Sequence, residues 1–99
     1  MFDREPASAH HAAVGKRLRL LEATTGKNGA ALARELQIST KRWSDYKAAR
    51  RKFPTELAGE LRRLYGCSLD WLYLGDEGAN HPSFTQKLRA LQVLRGSAD

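Results

Sequence analysis

Between residues 41 and 52 stand Lys41, Arg42, Lys47, Arg50, Arg51 and Lys52 against one acid, Asp45. That is a local excess of +5 in a chain whose formal total is +6. The other 11 basic and 10 acidic residues nearly cancel. A patch this concentrated recruits phosphates and makes binding salt-dependent. Thr40 and Ser44 add short hydroxyls, so Thr40, Lys41, Arg42, Ser44 and Asp45 form a polar set suited to base edges and phosphates in a DNA groove. A charge run alone is as readily a solvated helix face. The element beneath it has to decide.

That element is the stretch from Gly29 to Ala48, which reads as two short helices joined by a tight turn. Leu32 and Leu36 lie four apart and share a helix face. Ile38 falls in the turn, and Trp43 and Tyr46 sit three apart on the second helix. These five side chains close into one core only if the two helices cross steeply. Ala33 falls where the helices come closest, and a larger side chain there would hold them apart. The pattern is a helix-turn-helix, with the charged set on the outer face of its second helix.

Helices are expected along the rest of the chain. Residues 1–7 read as loose, and Ser8 as the cap of a helix to about Thr24, with Val14, Leu18 and Leu21 inward and Lys16, Arg17 and Arg19 outward. Gly26 stops it. Asn28 caps the second helix, Gly29 to Leu36, and Ser39 the third, which runs to Ala48 or Ala49. Pro54-Thr55 opens a fourth with a stripe of Leu57, Leu61 and Leu64, closed by Gly66. Ser68 caps a fifth, Leu69 to Leu74, and Gly75 ends it. GDEGANHP reads as a linker, and Ser83 as the cap of a last helix bearing Phe84, Leu88, Leu91 and Leu94.

Ninety-nine residues suit one small domain with a single core. The opening MFDREPAS has no apolar run, so no secretory signal is expected. No stretch reaches the ~20 apolar residues of a membrane span, and a cytoplasmic protein is expected. The one cysteine, Cys67, excludes an internal disulfide and is expected in a small buried role. His10 and His11 are adjacent, diverge by ~100° on a helix and cannot jointly chelate a metal. There is no G-x-S-x-G nucleophile setting and no glycine-rich phosphate loop. No enzyme, metal or cofactor is expected.

The chain resembles the Xre-type helix-turn-helix family of phage-repressor and Cro-like regulators over roughly residues 14–78. The likeness is carried by VGKRLRLLEATTG, LARELQIS, WSDYKAARRKFP and YGCSLDWLYLGDEG. It implies an all-α, compact five-helix lambda-repressor-like domain over residues 8–78. Residues 79–99 follow as a linker and C-terminal helix. Thr40, Lys41 and Arg42 then fill the first turn of the recognition helix, which the family points into the major groove. Arg42 suits a two-pronged contact with guanine, Lys41 a single one, and Thr40 a thymine methyl or a phosphate. Ser44 and Asp45 lie one turn later. Asp45 suits a cytosine amino group, although an i, i+4 pair with Lys41 is the simpler use. Asn28, Gly29, Lys47, Arg50, Arg51 and Lys52 are expected at phosphates.

Three departures stand out. Gly29 replaces a Gln that commonly meets a phosphate. Gln37 replaces the usual turn Gly, at a cost of about 1 kcal/mol if the left-handed conformation is kept. Lys47, Ala48 and Ala49 replace the usual Glu-x-Gly, which raises the charge facing DNA. The function implied is a sequence-specific double-stranded DNA-binding transcriptional regulator. It is read as a repressor on a palindromic operator, paired through a seam of Phe84, Leu88, Leu91 and Leu94. The alternative is an antitoxin-like autorepressor that also binds a partner protein. Only about 20 residues follow the core in this sequence, room for one helix and not for an extended neutralising segment.

Overall fold

Val14, Leu18 and Leu21 recur at helical spacing and are 4 %, 0 % and 0 % exposed, which makes α1 (Ala7–Thr25) the spine of the molecule. The computed structural model describes residues 7–94, and every regular element among them is a helix. After α1 come α2 (Gly29–Glu35), α3 (Thr40–Lys47), α4 (Thr55–Tyr65), α5 (Leu69–Leu74) and α6 (Pro82–Leu94). α1 packs against α3, α5 and α6, α2 against α3, and α4 against α5. One apolar core runs through these contacts. It takes in Leu32, Trp43, Phe53, Leu61, Leu72 and Phe84.

The helix starts follow from side-chain caps. Asn28 Oδ1 accepts the Ala31 N–H at 2.8 Å, Ser39 Oγ that of Arg42 at 3.0 Å, and Ser68 Oγ that of Trp71 at 2.9 Å. The start of α1 departs from expectation, because Ala7 and Ser8 already lie inside the helix. α6 departs too. Pro82 takes its first position and needs no acceptor. Its N-cap is therefore His81, whose Nδ1 accepts the Ser83 N–H at 3.1 Å, and Ser83 sits inside the helix.

The stretch expected as a linker is anchored. Asn80 is buried, its Oδ1 accepting the Ser68 N–H at 2.7 Å, and the His81 N–H donates to Gly66 O at 2.8 Å. A Cβ on Gly66 would lie 2.8 Å from that of His81, and Gly66 has φ +83°, so only glycine fits this junction. Held this way, α6 lies back on α1, and Phe84 and Leu88 are 1 % and 2 % exposed within their own chain. Half of the expected dimer seam is therefore core. Phe84 meets Trp71 edge to face at 5.1 Å. The α4 stripe also shifts: Ala58 and Leu61 are buried, and Leu64 faces outward. Arg17, expected outside, is half-buried and donates to Leu72 O at 3.1 Å.

Candidate nucleic-acid interface

The helix-turn-helix core assembles as its residue types require. Leu32, Ala33, Leu36, Trp43 and Tyr46 are buried, and Ile38 packs against them partly covered. Phe53 completes the cluster. It meets Tyr46 edge to face at 5.1 Å and Trp43 at 6.3 Å. Sequence reasoning missed Phe53, because it stands alone between a basic run and Pro54 and belongs to no periodic pattern.

The turn and the end of α3 share one geometry. Gln37 has φ +60°; its N–H bonds Arg34 O at 3.0 Å, and the next N–H, of Ile38, bonds Ala33 O at 2.9 Å. Ala49 has φ +64°, with its N–H on Tyr46 O at 3.2 Å and the Arg50 N–H on Asp45 O at 2.8 Å. Both are Schellman terminations, in which a left-handed residue turns the chain out of the helix and satisfies its last carbonyls. The left-handed conformation that glycine usually supplies is thus kept without glycine at both sites. α3 ends with Ala48 as its cap rather than running on.

Gly15 closes the packing beneath. A Cβ there would run into the Lys47 carbonyl oxygen, so α1 touches the last turn of α3 only because position 15 has no side chain. Arg19 Nη1 donates to that same carbonyl and holds the helix end from solvent.

Thr40, Lys41, Arg42 and Ser44 all lie exposed on the outer side of α3. The Arg42 Nε donates to the Tyr46 hydroxyl at 2.9 Å, which steers the guanidinium, and among the described residues Nη1 and Nη2 have no hydrogen-bond partner. Tyr46 thus serves the core with its ring and the surface with its hydroxyl. Sequence reasoning credited only the first role.

Asp45 does not offer itself to a base. Its side chain is 9 % exposed and lies 3.2 Å from Lys41 Nζ, 2.9 Å from Arg50 Nε and 3.7 Å from Arg51 Nε. The hydrogen bond from Arg50, with help from Lys41 and against partial burial, holds this carboxyl below its ordinary range. The expected Lys41 pair is present, extended into a cluster that fixes the cations around one carboxylate. Lys47 is also drawn inward. Its ammonium pairs with Glu22 at 2.8 Å, and Glu22 Oε1 also accepts the Trp43 indole N–H at 2.6 Å. A Cβ on Gly29 would lie 3.5 Å from that ammonium and 3.3 Å from Trp43 Cδ1, so Lys47 and Trp43 crowd the start of α2. The added positive charge expected from Lys47 is offset by Glu22. Asn28 is exposed, its oxygen engaged as the α2 cap, and Gly29 is half-buried. Arg50, Arg51 and Lys52 extend exposed from the end of α3.

An exposed polar helix on a helix-turn-helix core, flanked by exposed cations, is the arrangement of a DNA-reading module. The profile of the bacteriophage CI repressor helix-turn-helix domain matches residues 18–80, more than half of the chain. The chain belongs to that family. It is a DNA-binding transcriptional regulator domain. No curated protein and no solved structure gives a match. No helix among the described residues is long and apolar enough to cross a membrane. Cys67 is 1 % exposed, and burial pushes its thiol up to about 12, so it packs as a small apolar group.

Proposed function

We propose that this domain reads a specific operator through the first two turns of α3 and represses transcription as a two-fold dimer. The reading is carried by the Arg42–Tyr46 hydrogen bond, which aims an exposed guanidinium whose two terminal amino groups bond no other described residue. In this reading Arg42 contacts a guanine, Lys41 and Ser44 add single contacts, and Thr40 meets a thymine methyl or a phosphate. Arg50, Arg51 and Lys52 bind the backbone and supply affinity without sequence preference.

One α3 covers only a few base pairs, so site selection calls for a second copy. Phe84 and Leu88 are committed to the core, and the apolar surface left on α6 is Val93 and Leu94, 74 % and 84 % exposed, beside the half-buried Leu91. A dimer seam here uses the outer end of the helix. Selection from a random duplex pool tests both parts of the proposal. Two inverted half-sites about 34 Å apart are expected. A pool that fails to enrich would overturn sequence reading. A single unpaired half-site would overturn the dimer.

A further inference from the structure

A cavity of about 190 Å³ opens between the N-terminal half of α1, the end of α3, the tract after it and α5. Its walls are Val14, Tyr46, Phe53 and Tyr73. Around them stand His10, His11, Arg51 and Lys52, and among the described residues no Asp or Glu lines the space. DNA binding uses Arg51 and Lys52 from the outside and leaves the cavity itself without a role. We propose that it binds a small aromatic carboxylate, and that the bound anion loosens the hold on DNA.

Size, shape and charge each narrow the occupant. An apolar cavity of about 150 Å³ in another protein takes up benzene, so this one suits a single ring with a small substituent. Its walls favour a ring. Tyr46 and Phe53 already meet edge to face, and Tyr73 is fixed by its hydroxyl on Phe53 O at 2.8 Å and stacks on His10 at 6.3 Å. Its charges favour an anion. The Arg51 guanidinium stands 3.7 Å from Asp45, beyond a direct hydrogen bond, and Lys52 is exposed. A carboxylate at this mouth engages the two cations that otherwise meet DNA phosphates. Phe53, which the ring would touch, belongs to the same tract. Ligand and DNA therefore compete for one pair of cations. The binding step stands independently of the DNA reading; the coupling rests on it.

Titration calorimetry of the full chain at constant ionic strength tests the site, with benzoate as probe and benzyl alcohol as its uncharged counterpart. Saturable benzoate binding is expected, at least tenfold tighter than benzyl alcohol. It should weaken at least tenfold in Arg51→Gln/Lys52→Gln, whose melting curve reports the fold, and by a smaller factor in Lys52→Gln alone. Absent saturation, equal binding of the two probes, or undiminished binding in the folded double variant would overturn the site. Saturating benzoate should raise the Kd for a labelled duplex at least tenfold over chloride at equal ionic strength. Benzoate binding with no such rise would overturn the coupling alone. Benzoate binding by a chain that binds no duplex would instead defeat the DNA reading and leave the site standing.

Discussion

Replacing Asp45 with Asn removes the one negative charge in a window of six cations and leaves the shape of the side chain intact. Lys41, Arg50 and Arg51 all lie within 3.7 Å of that carboxylate, so its charge offsets about one of theirs wherever DNA approaches. The substitution would return one positive charge to the interface. Each further phosphate neutralised steepens the dependence of log K on log salt by about 0.9. Between 50 and 200 mM salt that amounts to an extra loss of roughly 3- to 4-fold. At low salt the variant should bind random duplex more tightly than the parent. Preference for the selected sequence should fall, because Lys41 loses the group that orients it. Fluorescence anisotropy on selected and random duplexes across that salt range reads all three effects. An unchanged slope would show that none of the three cations faces DNA. Stability offers a separate check with a definite sign. The folded carboxyl titrates below its ordinary range, so its stabilisation is present above about pH 4 and is lost as pH falls through the folded value. Parent and Asp45→Asn melting temperatures should differ at neutral pH and converge in acid.

Three further outcomes follow from the packing. Gly15→Ala should cost about 1–3 kcal/mol, because its methyl meets the Lys47 carbonyl and forces α1 away from α3; an unshifted denaturation midpoint would contradict that close approach. Trp43→Ala should cost ~3–5 kcal/mol as a fully buried large-to-small change, read by urea unfolding. Ala49→Gly should stabilise by about 1 kcal/mol, since position 49 already has φ +64°. An unchanged or lowered melting temperature in Ala49→Gly would mean that the left-handed end of α3 is not kept.

The parts legible in the sequence are those written by local rules. Asn28, Ser39 and Ser68 announce their helices because a cap needs only its own N–H neighbour three residues on. Leu32, Leu36, Trp43 and Tyr46 are buried because their spacing leaves no other face. What sequence missed depends on distant partners. Phe53 has no periodic neighbour, and its place is set by Trp43 and Tyr46 across the core. The need for Gly15 comes from the Lys47 carbonyl, two helices further along the chain. Asp45 and Lys47 look like surface charges in a linear reading, yet Arg50, Arg51 and Glu22 turn them inward. The Phe84–Leu88 stripe reads as a face that must be covered, but periodicity does not name what covers it. The anchoring of Asn80 and His81 to the α4–α5 junction brings that face onto α1.

The most direct test of sequence reading by α3 is the change in Kd of Arg42→Ala and Arg51→Ala on a selected duplex and on a random one, measured at one salt concentration. Arg42→Ala should lose ~1–3 kcal/mol on the selected duplex and far less on the random one. Arg51→Ala should lose equally on both. Equal losses on the two duplexes for Arg42→Ala would contradict the account, and place base recognition outside the first turn of α3.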